Sequence, residues 1–222
     1  MSSKVYRFGL LIIAVAFIFT ACNKDKRNAI HIEAKVFDPN TNIAVVGANV
    51  TISASKLNTG GIFSSGYEDI ATTTTDASGT FIFDFQEERF AGYKITIAKE
   101  KYFGNIIELT TSDIVPGTTF STVYNIYPEC FIKLKVQNVI NYDSTDHIAY
   151  SFTAGYVNCY ECCDNTIYQG HGLNYSNTIA CKTYGNQNVT ATYNITRDGS
   201  TMMHTVSHYC NAFDTTTFTI SY

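Results

Sequence analysis

Apolar residues in this chain recur at every second position, and nowhere do they hold the three- and four-residue spacing of a helix face. In "IHIEAKVFD", residues 30–38, Ile30, Ile32, Ala34 and Val36 share one face, while His31, Glu33 and Lys35 share the other. "GANVTISAS", residues 47–55, repeats the pattern through Val50, Ile52 and Ala54. "TTTDASGTFIFDF", residues 73–85, is a turn feeding a strand. Asp76 and Ser78 can bond the turn backbone, Gly79 can take a positive φ, and Phe81, Phe83 and Phe85 then face one way. "YKITIAKEKYFG", residues 93–104, follows with Tyr93, Ile95 and Ile97. Threonine runs at 72–75 and 215–220 add β propensity. The fold class expected is all-β.

The second half continues in the same key. Ile132, Leu134 and Val136 line one strand, and "DHIAYSFTAG", residues 146–155, reads as another. "NVTATYNITRDGSTMMHTVSHYC", residues 188–210, reads as a hairpin closed by Asp198-Gly199, with Val189, Ala191, Tyr193 and Ile195 facing one way. Met202, His204, Val206 and His208 share one side of the return strand, and "TTFTISY", residues 216–222, closes the unit. Pro128 is expected to break the pairing and Cys130 to open this second unit. Two β-sandwich domains are therefore expected, 30–128 and 129–222, the second immunoglobulin-like in architecture. Tryptophan and the cysteine spacing of true immunoglobulin domains are missing from it.

An opening strand, then "GANVTI", then "TTDASGTFIF" and "YKITIAKEKY", resembles the carboxypeptidase regulatory-like domains over roughly residues 30–128. The resemblance implies a small transthyretin-like sandwich, common in envelope proteins of Bacteroidetes. It also implies a spacer or binding module with no catalytic residues of its own, so the phenylalanine row is expected to be core.

The N-terminus has a different grammar. Lys4 and Arg7 precede an uncharged apolar run, "FGLLIIAVAFIFTA", residues 8–21. Fourteen helical residues rise about 21 Å, short of a hydrocarbon core about 30 Å thick. This is the layout of a secretory signal. "Thr20-Ala21-Cys22" resembles the lipobox of bacterial lipoproteins. The resemblance implies cleavage after residue 21 and acylation of Cys22 (a palmitate-type anchor). Several acyl chains hold a protein to a bilayer where one gives only marginal binding. Residues 22–29 then read as a flexible tether. Asn23 stands where an aspartate would retain such a protein in the inner membrane, so the outer membrane is the expected location.

Losing Lys4 and Arg7 leaves 13 basic residues against 19 acidic ones, a net charge of −6. An acidic surface of this kind repels phosphate backbones and excludes nucleic acid as a partner. No Ser-His-Asp order, paired-carboxylate motif, HExxH or phosphate loop is recognisable, so neither catalysis nor a cofactor is expected.

Six cysteines besides Cys22 all lie in the second half: Cys130, Cys159, Cys162, Cys163, Cys181 and Cys210. An even number in an exported chain points to disulfides, with fifteen pairings open. A zinc reading of Cys159, Cys162 and Cys163 with His171, His204, His208 and Cys210 is one alternative, and a redox role for Cys159-x-x-Cys162 is another. Against zinc, His204 and His208 on one strand stand about 13 Å apart. The segment 158–187 is expected to be a long irregular loop stapled by cysteines, the place where binding concentrates on a rigid sandwich. Tyr168, Tyr175 and Tyr184 lie within it and are the candidate ligand contacts. The expected function is a non-enzymatic, membrane-anchored envelope lipoprotein presenting that loop to a protein or glycan. A carbohydrate-binding accessory protein is the alternative.

Overall fold

The structure is a computed structural model that describes residues 29–56, 66–88, 90–140, 142–154, 159 and 161–222. The signal segment, Cys22 and the tether lie outside the described residues. All regular elements among the described residues are strands: β1 (Ala29–Asp38), β2 (Ile43–Ala44), β3 (Asn49–Lys56), β4 (Glu68–Thr74), β5 (Thr80–Gln86), β6 (Phe90–Ala98), β7 (Tyr102–Phe103), β8 (Asn105–Thr110), β9 (Thr119–Asn125), β10 (Tyr127–Gln137), β11 (His147–Ala154), β12 (Tyr168–His171), β13 (Ser176–Tyr184), β14 (Gln187–Arg197), β15 (Ser200–Cys210) and β16 (Thr215–Ser221). They divide into two compact units. Residues 37–45 and 98–105 group with the second, as does everything from Asn125 onward.

The first unit is a sandwich. One sheet holds β1 between β5 and β9, and the other runs β4-β3-β6-β8. The period-two pattern fixes which face is inside: Ile30, Ile32, Ala34 and Val36 on β1 are essentially without solvent contact, as are Val50, Ile52, Tyr93, Ile95 and Ile97 of the other sheet. Phe81 and Phe83 are buried, Phe85 is half-buried, and the Phe85 ring reaches Tyr93 of the facing sheet at 6.1 Å. Tyr124 stacks on Phe81 with ring centroids 6.3 Å apart, and burial raises its hydroxyl pKa to about 12. The turn before β5 is built as its residues dictate. Asp76 Oδ1 accepts from the backbone N–H groups of Ser78 and Thr80, each at 2.8 Å, and Gly79 sits at φ 75°. No sulfur holds this unit; its described residues contain no cysteine.

The second unit stacks two sheets over one core, an immunoglobulin-like architecture. β10 sits between β13 and β16, with β7 on its first residues, and the facing sheet runs β12-β11-β14-β15. Ile132, Leu134, Val136, Phe218 and Ile220 from the first sheet pack with Ile148, Tyr150, Phe152, Val189 and Ala191 from the second. Phe152 meets Phe218 edge-on across the gap at 6.4 Å. The β14–β15 hairpin turns through Asp198 and Gly199, both at positive φ (47° and 70°), the backbone that Asp-Gly favours. Every residue from Gln187 to Arg197 is paired without a bulge. The first and last long strands of the unit, β10 and β16, run parallel from Phe131↔Thr215 to Gln137↔Ser221.

Two expectations are corrected. Pro128 does not break the pairing. It lies inside β10 opposite Tyr102, and its carbonyl accepts from Gly185 N at 2.7 Å. Proline lacks only the donor, so a place near a strand start with the carbonyl in use suits it. Nor is residues 158–187 a long loop. β12 and β13 occupy much of it, and β13 pairs with β10 over its whole length, from Glu129↔Tyr184 to Gln137↔Ser176. The alternation in "SNTIACKTY" carries that strand, with Ile179, Cys181 and Thr183 turned inward.

Candidate functional site

What remains irregular is a short run ahead of β12, and sulfur holds it in place. Cys159 pairs with Cys162 and Cys163 with Cys181, with Cα separations of 5.3 and 5.2 Å. Cys130 pairs with Cys210, tying β10 to the end of β15. Cys162 also forms a parallel bridge to Lys182, and Cys163 N donates to Lys182 O at 2.8 Å. The run is thus fastened along the free edge of β13 by backbone and disulfide together.

Two depressions flank this staple and share Ala180 and Cys181. One, about 160 Å³, is lined by Phe152, Cys162, Cys163, Asp164, Tyr168 and Ile179. The other, about 400 Å³, lies where Phe131, Lys133, Lys182 and Thr215 come together. Lys182 Nζ donates to Glu129 Oε1 at 2.7 Å, which raises the lysine pKa. Its charge therefore persists at any physiological pH, held against a carboxylate.

The candidate tyrosines part company. Tyr168 and Tyr175 belong to one cluster around Tyr150. Tyr168 stacks on the Tyr150 ring at 5.6 Å, the Tyr150 and Tyr175 hydroxyls lie 2.9 Å apart, and Asn177 Nδ2 donates to Tyr150 Oη at 2.8 Å. Burial pushes the Tyr150 hydroxyl far above the usual tyrosine range. Tyr175 lies over Gly170, where any side chain would run into its ring. Both Tyr168 and Tyr175 are half-buried and pack against the core. Tyr184 is elsewhere. It is buried, stacked on Tyr127 at 3.9 Å and edge-on to Phe103 at 5.0 Å. It belongs to packing rather than to the surface that Tyr168 and Tyr175 help form.

The outward face of the β12-β11-β14-β15 sheet escaped the sequence reading. The register sets His171, His147, Thr196 and Thr201 in one row across the four strands. Gln169, Ala149, Asn194 and Met203 form the next row, and Ser151, Thr192 and Thr205 the third. None of these residues is an acid, a lysine or an arginine. The His147 and His171 rings stack at 4.4 Å, and Thr196 and Thr201 hydroxyls meet at 2.9 Å. The signal was present in the outward positions of "NVTATYNIT" but became visible only once four strands were in register. At the end of the same unit Asp146 is fully buried. It accepts from Asn138 Nδ2 at 2.9 Å and lies 3.4 Å from Arg197 Nε. That network holds the loop before β11, where Tyr142 N also donates to Asp146 Oδ2 at 3.2 Å.

Among the described residues no group of three or more histidine, cysteine, aspartate or glutamate side chains is arranged to hold a metal ion. No described helix is long and apolar enough to cross a membrane. No family model and no curated protein matches the sequence. Solved structures give low-scoring likenesses. The Bacillus anthracis TIE protein shares 13% identity at a TM-score of 0.39, over 87% of this chain and 34% of that one. The shaft pilin SpaA from Lactobacillus rhamnosus GG shares 10% at 0.31, over 87% and 97%. The C-terminal domain of SpaA shares 15% at 0.32, over 45% and 98%. The chain spans about a third of the TIE protein's length. TM-scores this low define no common fold, and the β-sandwich assignment rests on this chain's own sheets.

Proposed function

We propose that this chain is a non-enzymatic, lipid-anchored protein of a bacterial cell envelope, outer membrane rather than inner, whose disulfide-braced second sandwich is the binding part. In this reading acyl chains on Cys22 hold it to the membrane, residues 23–29 are the tether, and the first sandwich is a carboxypeptidase regulatory-like spacer. The supporting observation is cysteine arithmetic. Seven cysteines and three pairs, Cys130–Cys210, Cys159–Cys162 and Cys163–Cys181, leave Cys22 as the odd sulfur. Three disulfides suit an oxidising compartment, and an odd cysteine behind a small-residue stop suits acylation. The test is metabolic labelling with palmitate. Label should enter the wild type, and Cys22→Ala should lose both label and detergent-phase partitioning. Label entering Cys22→Ala equally would sink the reading.

A glycan partner is favoured by the charge-free outer face of the second sandwich, where the stacked His147 and His171 lie beside Gln169 and Asn194. A neutral polysaccharide offers hydroxyls and ring faces, which amide, hydroxyl and aromatic side chains match without displacing a charge. A glycan array with the wild type and Asn194→Ala tests this. Binding unchanged by the substitution, or no binding, would count against it.

A further inference from the structure

The far edge of the same sheet carries a separate inference. β15 is an edge strand of eleven residues, and along Ser200–Ser207 its backbone pairs only with β14 among the described residues. Natural sheets blunt such edges with charge, proline, bulges or shortness. Three other edges here do so: β4 opens with Glu68-Asp69 and meets β3 at a bulge, β8 carries Glu108, and β12 has four residues; β16, also uncharged, is shorter at seven residues. β15 has none of these protections. "STMMHTVSHYC" contains no acid, lysine, arginine or proline, and its ladder has no register shift.

Its apolar exposure also has a particular geometry. Met202 and Met203 are 63% and 72% exposed. As neighbours on a strand they point to opposite faces of the sheet. A ligand docked on one face could cover only one of them. A strand added at the edge flanks both.

We propose that β15 is a homodimerisation edge, which pairs antiparallel with β15 of a second copy about a two-fold axis perpendicular to the sheet. Charge decides for a second copy. An isologous contact sets each strand against itself, so a charged edge would oppose like charges, and this edge has none to oppose. The axis keeps the sheet faces on their own sides. Two four-stranded sheets become one of eight, and the charge-free face continues across the junction. The open stretch is bounded at its far end, where Thr216 Oγ1 donates to Tyr209 O at 3.4 Å.

The experiment is sedimentation velocity on the full chain in density-matched detergent, with hydrogen exchange on the β15 amides. The wild type should form dimers, and β15 amides that face away from β14 should gain protection as concentration rises. Met203→Lys should weaken the dimer by about tenfold or more, and Met202→Lys on the other face should do the same. Both substitutions are on exposed side chains of a strand still paired to β14, and retention of three disulfides by intact mass reports folding. A wild type that stays monomeric at about 0.1 mM overturns the proposal. So does a dimer that neither lysine weakens, or β15 protection that does not depend on concentration and so reports a different occupant.

Discussion

The two sandwiches solve the same problem with different means. The first has no cysteine among its described residues. It is held by a continuous apolar interior, with Ile30, Ile32, Val50, Ile52, Ile95 and Ile97 all at 0% exposure, and by aromatic pairs around Phe81 and Tyr93. The second buries comparable side chains but spends tyrosine and histidine half in solvent and adds three disulfides. Conformational entropy opposes folding in both, and a core of this size offsets it only narrowly. Cross-links that restrict the unfolded chain release the second unit from needing a fully apolar interior. That freedom is what allows a charge-free polar face and half-exposed aromatics to coexist with a stable sheet.

The sharpest way to break the comparison is to remove sulfur. The residues joined are 80, 18 and 3 apart for Cys130–Cys210, Cys163–Cys181 and Cys159–Cys162. Loop-closure entropy then ranks the pairs at about 4.5, 3 and 1.5 kcal/mol. Paired cysteine-to-serine variants should lower the second unit's melting transition in that order in calorimetry, with the first unit's transition unmoved. Loss of both transitions together would show the units to be one cooperative body. Next, Ile32→Ala leaves a cavity in the first sandwich and should cost about 2–4 kcal/mol, lowering that unit's transition alone. Gly170→Ala drives a methyl into the Tyr175 ring and should cost the second unit about 1–3 kcal/mol. It should also shift the near-ultraviolet dichroism of the tyrosine cluster.

The smallest effect is acid sensitivity of the first unit's turn. The hydrogen bond from the Ser78 side chain, with those from the Thr80 and Ser78 amides, holds the Asp76 carboxyl below its ordinary value of 3.8. A carboxyl lowered on folding contributes stability above its unfolded pKa and loses it as pH falls through the folded one. The first unit should therefore weaken below about pH 4, and Asp76→Asn should flatten that slope in urea melts.

The elements legible in the sequence were those in which alternation and turn chemistry agree. β1, β5 and the β14–β15 hairpin each join a period-two run to a turn with its own signature, Asp76 with Gly79 in one case and Asp198-Gly199 in another. β13 alternates just as well, but four cysteines in thirty residues read as a loop. Gly170 makes room for Tyr175, and Gly172, at φ 85°, is a turn glycine. Disulfide partners were beyond reach because pairing depends on which strands lie together, as with Cys130 on β10 and Cys210 at the end of β15. Tyr184 misled for the same reason: nothing in its neighbourhood along the chain announces that it stacks on Tyr127.

The parallel pairing of β10 with β16 has a temporal meaning. A ribosome delivers residues 131–137 long before residues 215–221, and until the latter arrive the central strand of that sheet lacks one neighbour. The unit's topology thus delays completion of that sheet until β16 has been made, a slow and aggregation-exposed route by the usual dependence of rate on the span of native contacts. Deleting the last strand should leave a chain that collapses, oxidises in scrambled patterns and is degraded, while the sandwich made first survives intact.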